Sequence, residues 1–523
     1  MKRSGTTLGC SWPAECYVGG ATAGRGGDGA RGTGLVRVQP VTRPRIVIIG
    51  AGAAGIAMGI QLVRAGYTKL TIVEKSTMVG GTWHDNRYPG SGCDVPSHLY
   101  CFSFDPNPDW HHKFARQAEI ERYLAACVER HGLAPHLRLG TEIASARWED
   151  ANGRWHLRTT TGDELVADVV ISGTGQLNRP YTPEIPGLEG FAGVTLHSAR
   201  WDPALEIAGK DVVVVGTGAS AVQIVPEVAR VARSLTVLQR SPGYVIRRGD
   251  RAYRGFERWA FGSVPLMRRL YRAWFYWANE ARFAAVRQGS LMGRIVAWVA
   301  LRYMRSVVTD PAMRTSLTPA YPIGCKRILI SDDWYQALVR PNVRVVTSPI
   351  ERATADAVVT ADGVVHPAQV VVFATGFQST GFLAPIEITG RGGRSLAEAW
   401  RTGAEAHLGI TVAGFPNLFL LYGPNTNLGH SSILFMIECQ VRYVLRCLDA
   451  VQRRGARWLD VRPEVMARSN AALQSELAGS SWAAGCHNWY RTADGKQTNN
   501  WSGRTTGYWR RTRRPALDDF ELG

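Results

Sequence analysis

Two copies of one local pattern constrain this chain more than any other feature. Each is a short β-branched run, a glycine-rich turn and then a helix-forming stretch: residues 45–49 lead into GAGAAG at 50–55, and residues 211–215 lead into GTGASA at 216–221. In such a unit the first glycine allows a tight turn, the second lets the backbone approach a pyrophosphate, and the third lets the helix pack on the strand. The chain is therefore predicted to be α/β, with two Rossmann-like dinucleotide-binding domains.

The residue that ends the next strand differs between the two copies. Glu74 stands 24 residues after Gly50, and Arg240 stands 24 residues after Gly216. A carboxylate accepts ribose hydroxyls but repels a ribose 2′-phosphate, which a guanidinium binds. The first site therefore suits FAD or NAD and the second suits NADP. Two such sites in one chain indicate hydride transfer from NADPH to a flavin.

Composition limits the other possibilities. A chain of 523 residues with 45% hydrophobic residues is long enough for several cores. Its nine cysteines are odd in number and form no CxxC, which favours a reducing cytosol over a disulfide framework, a zinc site or a thioredoxin-type redox pair. We predict no metal site. Residues 1–40 are rich in glycine, lack the apolar core of a secretory signal and are predicted to form a flexible tail.

Two longer motifs carry a family resemblance. FAGVTLHSARWD spans residues 191–202, and GGTWHDNRYPGSGCD spans residues 80–94. With ATGF at 374–377, they make residues 43–510 resemble class B flavoprotein monooxygenases, specifically the type I Baeyer–Villiger monooxygenases. The matching positions are Phe191, Gly193, His197, Trp201 and Asp202 in the first motif, and Gly81, Trp83, Tyr88, Pro89, Gly90 and Asp94 in the second.

The resemblance implies an activity and a division into domains. The activity is insertion of one oxygen from O₂ next to a ketone carbonyl, through a C4a-peroxyflavin and at the expense of NADPH. The expected domains are a first FAD-binding part at 41–185, an NADP-binding domain at 186–377 with a helical insertion at 251–320, and a second FAD-binding part with a C-terminal cover at 378–523. Nitrogen or sulfur oxygenation is the same-class alternative. A basic membrane-surface protein with vestigial cofactor sites is the alternative from another class.

The resemblance also implies roles for individual residues. Arg327 matches the catalytic arginine, which would stabilise a peroxide anion, and Asp94 matches the carboxylate that pairs with it. His197 is expected to fix the link between the two nucleotide domains rather than to act as a base. The expected FAD-contacting residues are Gly50, Gly52, Gly55, Glu74, Gly81, Thr82, Trp83, Asp94, Tyr100, Ile143 and Ile433. The expected NADP-contacting residues are Gly216, Thr217, Gly218, Ala219, Ser220, Ala221, Gln223, Arg240, Ser241, Lys326 and Arg327.

Three stretches leave alternatives open. Asn425, Asn427 and His430, in a stretch richer in polar residues than the ketone-oxidising members show, either line the pocket or cap a helix. The aromatic stretch with Trp489, Tyr490, Trp501 and Trp509 either covers the active site or packs in a core. Residues 251–310, with eleven arginines against three acids and no proline between 265 and 311, are predicted to be helical over 257–307. They either wall a hydrophobic substrate channel or rest on anionic lipid.

The net charge of +18 is therefore not spread evenly along the chain. No recognition motif for nucleic acid accompanies it, so nucleic acid is not expected as a partner. The expected location is the cytoplasm, with peripheral contact at the inner face of the membrane through residues 251–310 left open. The sequence does not determine the ketone or the oligomeric state.

Overall fold

The computed structural model describes residues 43–486 and 488–523. The tail predicted for residues 1–40 lies outside this range. The strands are β1 (Ile46–Ile49), β2 (Leu70–Val73), β3 (Leu137–Arg138), β4 (Ile143–Glu149), β5 (Arg154–Thr159), β6 (Glu164–Ala167), β7 (Val169–Ser172), β8 (Val194–His197), β9 (Asp211–Val215), β10 (Ser234–Leu238), β11 (Val245–Ile246), β12 (Leu329–Ile330), β13 (Val343–Val346), β14 (Ile350–Ala353), β15 (Ala357–Thr360), β16 (Val365–Pro367), β17 (Val370–Phe373), β18 (Glu387–Thr389), β19 (Leu418–Leu420), β20 (Leu459–Val461) and β21 (Phe520–Leu522).

The helices connect and cover these strands. They are α1 (Ala53–Arg64), α2 (Thr82–Asp85), α3 (Gln117–Arg130), α4 (Ala221–Val231), α5 (Gly255–Ser263), α6 (Pro265–Arg282), α7 (Leu291–Val307), α8 (Pro311–Ser316), α9 (Trp334–Leu338), α10 (Leu396–Ala399), α11 (Ile433–Arg453), α12 (Pro463–Ala478) and α13 (Thr505–Arg511). The stretch predicted as helical over 257–307 is broken twice. Pro265 begins α6 because proline is tolerated at the first helical position, and Ser290 caps the start of α7 through the Gly293 amide.

Two five-stranded parallel sheets form the centre of the structure. The first has the order β19-β7-β1-β2-β3, and the second has the order β13-β10-β9-β17-β8. Their central strands β1 and β9 are buried valine and isoleucine runs, as strands covered on both faces require. The prediction of an α/β chain with two Rossmann-like sheets is therefore confirmed, whereas the predicted domain boundaries stay a proposal.

The glycine-rich turns lie where each sheet passes into its first helix. Gly50 has φ +102° and Gly216 has φ +110°, a region that favours glycine. A Cβ at Gly50 would lie 2.8 Å from the Gly173 carbonyl oxygen, and one at Gly216 would lie 2.6 Å from the Ala374 carbonyl oxygen. The two turns thus have the same backbone form, and each is closed by the turn after a neighbouring strand.

One disulfide corrects the interpretation of the cysteines. Cys325 and Cys486 are joined across 161 residues of sequence, although the cysteine content argued against disulfides. Cys325 lies in the loop before β12, and the C-terminal segment that contains Cys486 packs against this loop. The spacing of the two cysteines along the sequence does not predict this contact. Within residues 43–486 and 488–523, five other cysteines are free and buried: Cys93, Cys101, Cys127, Cys439 and Cys447.

A buried histidine near α5 and α6 makes the fold sensitive to acid. The His98 ring packs against the Phe261 ring, with centroids 4.3 Å apart, and both of its nitrogens are buried without a hydrogen-bond partner. Burial, with Arg268 and Arg272 nearby, lowers the pKa of His98 from 6.5 to about 3. The folded protein therefore holds His98 neutral, while the unfolded chain takes up a proton below about pH 6.5.

We expect His98→Phe to reduce this acid sensitivity. The pKa of His98 is lower in the folded protein than in the unfolded chain. Neutral His98 therefore leaves the folded state at its full stability above the unfolded-state pKa, and this stability is lost as the pH falls from about 6.5 towards 3. Between about pH 7 and pH 5 the loss amounts to about 2 kcal/mol of unfolding free energy. Denaturant unfolding of wild type and variant at the two pH values measures the difference. An identical fall in both proteins would contradict the assignment.

Candidate active site

The residues predicted to contact FAD converge on one groove beside the first sheet. The groove runs from the glycine turn after β1, past the end of β2, to the start of α11. Nine of the predicted residues line it: Gly50, Gly52, Glu74, Gly81, Thr82, Trp83, Tyr100, Ile143 and Ile433. Gly55 lies beneath it inside α1, and Asp94 lies outside its lining. Tyr422 also lines the groove but was not predicted, because a lone tyrosine after β19 carries no sequence signal.

The backbone around this groove fits a pyrophosphate. The turn at Gly52 faces the turn at Gly81, and a Cβ added at Gly81 would lie only 2.9 Å from the Gly52 Cα. A Cβ at Gly55 would lie 1.8 Å from the Gly50 carbonyl oxygen, so α1 packs directly against the turn. Because glycines occupy these positions, no side chain blocks the backbone amides at the start of α1 from a phosphate.

Glu74 is held in place at the end of β2. Its side chain is buried, the Ala51 amide donates to Oε2 at 2.7 Å, and the Ser76 amide donates to Oε1 at 2.9 Å. A carboxylate has about four acceptor positions, so two amide bonds leave capacity for ribose hydroxyls. The geometry therefore agrees with a dinucleotide in which no 2′-phosphate is present.

The second glycine turn has open space beside Gly218, and two cationic side chains, Arg240 and Lys326, lie near Ser241. A Cβ added at Gly218 would meet nothing within 4 Å. Thr217 Oγ1 donates to the Ser241 carbonyl oxygen at 2.9 Å, and Lys326 Nζ donates to Ser241 Oγ at 2.6 Å. Burial and the charge of exposed Arg240 lower the pKa of Lys326. Two like charges thus lie close together around Ser241, as expected of a site that binds an anion.

Arg327 and Asp94 form an ion pair between the two sites. The distance from Arg327 Nη2 to Asp94 Oδ2 is 3.2 Å. Burial acts to lower the pKa of Arg327, but Asp94 and the neighbouring Tyr490 and Tyr422 outweigh it, and the pKa is raised. Arg327 therefore stays positively charged. It follows Lys326 of the second site in the chain and lies near Tyr422, which lines the first groove.

Two further side chains hold Asp94. Arg248 Nη2 lies 3.5 Å from Asp94 Oδ1 and donates to the Cys93 carbonyl oxygen at 2.8 Å, and its side chain is nearly fully buried. Gln223 Nε2 donates to Asp94 Oδ1 at 3.4 Å, and its Oε1 accepts from the Tyr88 hydroxyl. Arg248 was not predicted, because one arginine among 54 carries no signal of its own. Gln223 is predicted to contact NADP, but its side-chain amide forms hydrogen bonds with residues 88–94.

His197 ends β8 and contacts the turn after β17, the neighbouring strand of the second sheet. Its Nδ1 accepts from the Ala199 amide, and its Nε2 donates to the Gly376 carbonyl oxygen at 2.9 Å. Burial lowers the pKa of His197, so the ring stays neutral in this tautomer. The ring also meets Phe377 edge to face. These contacts tie β8 to the ATGF motif and agree with a role in fixing the link between the domains.

The polar stretch before α11 has a third role that was not among the alternatives. The Asn425 amide donates to the carbonyl oxygens of Gln497 and Asn500, and the Asn427 amide donates to Asn500 Oδ1. His430 Nε2 lies 3.3 Å from Glu280 Oε1. These side chains hold the C-terminal segment and α6. They neither line the FAD groove nor cap α11, and their place in a substrate pocket stays a prediction.

The C-terminal aromatics belong to a core. Tyr490 and Trp501 are buried in one hydrophobic cluster, with Trp489 and Trp509 packed against it. Asn488 Nδ2 donates to the Cys325 carbonyl oxygen at 3.2 Å, close to the disulfide. The two alternatives are therefore not exclusive: these aromatics pack in a core, and the same packing brings Tyr490 close to Arg327. Among the residues that the structure describes, no cluster of three or more His, Cys, Asp or Glu side chains could hold a metal ion.

Comparisons with known proteins agree with this geometry. The model of the flavin-binding monooxygenase-like family matches residues 43–385. A Baeyer–Villiger monooxygenase of Streptomyces coelicolor is 42% identical over 91% of this chain and 92% of its own length, and one of Pseudomonas aeruginosa is 40% identical over 91% of each. The crystal structure of OTEMO in complex with FAD and NADP superposes with a TM-score of 0.83 at 26% identity, covering 92% of this chain and 99% of the other.

These findings confirm the resemblance and the prediction of FAD and NADP as cofactors. They do not favour heteroatom oxygenation or a binding protein with vestigial sites. The chain combines two glycine turns of the same backbone form, a groove beside the first turn, and an arginine–aspartate pair between the two dinucleotide sites. It is also 42% identical to a relative of nearly the same length. The chain belongs to the flavin-binding monooxygenase-like family and, within it, to the Baeyer–Villiger monooxygenases.

Proposed function

We propose that this protein uses NADPH and O₂ to insert one oxygen atom next to the carbonyl of a ketone, giving an ester or lactone. The observation that carries the proposal is the Arg327–Asp94 ion pair, 3.2 Å long, between the two dinucleotide sites. When bound, reduced FAD supplies the electrons that activate oxygen. The remaining steps depend on what the side chains of this chain do around the reacting atoms.

The part assigned to Arg327 is electrostatic. A guanidinium stabilises negative charge on an oxygen atom beside it without offering a readily lost proton. Asp94 orients it and is itself held by Arg248 and Gln223. The ketone carbonyl is expected to bind next to Arg327, so that charge developing on its oxygen is stabilised as well. Buried Tyr490 and the disulfide-linked C-terminal segment lie beside Arg327 and would limit the access of water from this side once the cofactors and the ketone are bound.

For the cofactors, we propose that FAD lies in the groove beside Glu74 and NADPH lies along the second turn. Glu74 would accept the ribose hydroxyls of FAD, with the pyrophosphate between Gly52 and Gly81. Arg240 and Lys326 would bind the 2′-phosphate of NADPH, which would neutralise the two like charges around Ser241. The predicted contacts of Thr217, Ala219, Ser220 and Ala221 belong to the same turn.

Substitution of Arg240 by alanine is expected to change the nucleotide preference. A hydrogen bond to a charged group contributes about 1.5–3 kcal/mol, so the KM for NADPH should rise about tenfold or more, with NADH use little affected. Steady-state kinetics with both nucleotides measure this. Arg344→Ala, which removes an exposed arginine from β13 of the same sheet, is the matched control. An equal loss with NADPH and NADH would refute recognition of the 2′-phosphate.

Product analysis tests the proposed reaction. The purified flavoprotein is given NADPH, O₂ and either a panel of cyclic, aryl and steroid ketones or a thioether. The proposal expects ester or lactone from at least one ketone class. Sulfoxide from the thioether, with no ester from any ketone, would replace ketone oxidation by heteroatom oxygenation.

We propose a cytoplasmic location, where NADPH is supplied, with peripheral contact at the membrane. The described residues include no helix long and apolar enough to cross a membrane. The cysteine content no longer supports a reducing compartment, because the structure contains the Cys325–Cys486 disulfide. The location therefore rests on the demand for NADPH alone.

A further inference from the structure

The helices α5, α6 and α7 expose an unusual set of large apolar side chains. On α6 the exposed residues are Leu266, Leu270, Trp274 and Trp277, which recur every three or four positions and form one stripe. Phe256 and Trp259 are exposed on α5, and Leu291, Ile295 and Trp298 form a second stripe on α7. Trp274 is 71% exposed and Trp259 68%. Single exposed apolar residues are ordinary on a protein surface, but several tryptophans grouped on three consecutive helices mark an interaction surface. Here α5 packs on α6, and residues 283–286 at the end of α6 pack on α7.

The opposite face of α6 is firmly attached to the rest of the protein. Buried Arg272 donates from Nη1 to the carbonyl oxygens of His98 and Cys101, at 2.8 and 3.1 Å. Buried Glu280 accepts from Thr505 Oγ1 at 2.7 Å. Tyr276 is also buried, although Trp274 and Trp277 beside it in sequence are exposed. The stripe is therefore the outward face of a well-anchored helix, not an exposed interior of a loosely packed one.

The charges on these helices are almost all of one sign. Arg269 on α6 and Arg294, Arg302 and Arg305 on α7 are exposed, and the Arg302 guanidinium lies 5.5 Å from the Trp298 ring centroid. The three acids of residues 251–310 are all engaged: Glu257 with Arg251, Glu280 in the interior, and Asp310 at the start of α8. An opposing surface would therefore need to be apolar and negatively charged.

We propose that this face, defined as the outward side of α5, α6 and α7, binds the surface of an anionic phospholipid membrane. Tryptophan and leucine side chains would enter the boundary between headgroups and acyl chains, and the arginines would meet lipid phosphates. A second copy of the chain fits less well, because it would bring arginines against arginines. This surface lies apart from the Arg327–Asp94 pair, and the proposal does not depend on the Baeyer–Villiger chemistry.

Vesicle sedimentation with the FAD-loaded full chain tests the proposal. The vesicles contain either phosphatidylcholine alone or three parts phosphatidylcholine to one part phosphatidylglycerol. We expect binding to the anionic vesicles, much weaker binding to the neutral ones, and loss of binding at high salt. Equal binding to both compositions, or binding to neither, would overturn the proposal.

Two double variants separate the apolar from the electrostatic part. Trp274→Ser with Trp277→Ser should weaken binding to anionic vesicles at least about tenfold, because two large apolar side chains no longer enter the lipid. Arg294→Gln with Arg302→Gln should weaken it about thirtyfold at low salt, since each basic residue near an anionic surface contributes on the order of 1 kcal/mol. Turnover of a water-soluble ketone should stay unchanged in both variants.

The matched control removes the same charge elsewhere. Arg340→Gln with Arg344→Gln changes two exposed arginines outside the three helices and should leave vesicle binding as in wild type. An equal loss in this control would show that net charge, not the helical face, causes the binding. A wild-type dimer that becomes monomeric in the tryptophan variant would assign the face to self-association and refute the lipid proposal.

Discussion

Replacing Arg327 by alanine is expected to separate NADPH consumption from oxygen insertion. The variant should still oxidise NADPH and reduce its flavin, because Arg240, Lys326 and the second glycine turn are unchanged. Ester formation should fall about 10²–10³-fold, the usual cost of removing one group that stabilises a developing oxyanion. Hydrogen peroxide should accumulate in place of the ester, since the reduced oxygen no longer finds a stabilising cation.

Three measurements on one preparation decide this prediction. Stopped-flow absorbance follows flavin reduction, chromatography quantifies the ester, and a peroxidase assay quantifies hydrogen peroxide. Arg344→Ala serves as the control for loss of an arginine. Unchanged ketone turnover in the Arg327 variant would refute the assigned role, and a loss of flavin reduction equal to the loss of ester would move Arg327 from oxygen insertion to nucleotide binding.

Replacing Gly55 by alanine is expected to remove FAD from the protein. The new Cβ would lie 1.8 Å from the Gly50 carbonyl oxygen, a backbone atom that cannot rotate away. Either α1 moves off β1 or the turn opens, and both displace the amides that would face the pyrophosphate. Overpacking of this kind costs about 3 kcal/mol or more where no side chain can yield. The variant should lose its flavin absorbance and melt at a lower temperature.

The control for this substitution is another glycine in open space. A Cβ added at Gly190 would meet nothing within 4 Å, and Gly190 has no positive φ. Gly190→Ala should therefore keep the flavin content and melting temperature of wild type. A Gly55→Ala protein with wild-type flavin content would show that the contact between α1 and the turn is not required for the cofactor site.

The cofactor framework could be predicted because it depends on local sequence. A β-branched strand, glycines at fixed intervals and the residue ending the next strand lie within 30 positions, 45–74 in one copy and 211–240 in the other, and the structure gives both turns the same backbone form. Glu74, Gly52 and Gly81 accordingly line one groove. The Arg327–Asp94 pair could be expected only through the family resemblance, since 233 positions separate the two residues.

The contacts that were missed are those that join distant segments. Arg248 reaches Asp94 from a loop before α5, and Cys486 reaches Cys325 across 161 residues. The sequence around Asn425 and Asn427 predicts pocket or cap residues, whereas their hydrogen-bond partners lie 72 and 73 positions later in the chain. The amphipathic character of α6 could be foreseen from the sequence, but only its packing against residues 98–101 and the C-terminal segment shows which side is exposed.

Isotope labelling shows where the inserted oxygen atom comes from. The wild-type enzyme is supplied with NADPH, each ketone of the panel in turn and ¹⁸O₂ gas in ordinary water, and the products are examined by mass spectrometry. We expect an ester or lactone that carries one ¹⁸O atom at the newly formed C–O bond. A product without the label, or a ketone returned unchanged while NADPH is consumed across the whole panel, would contradict it.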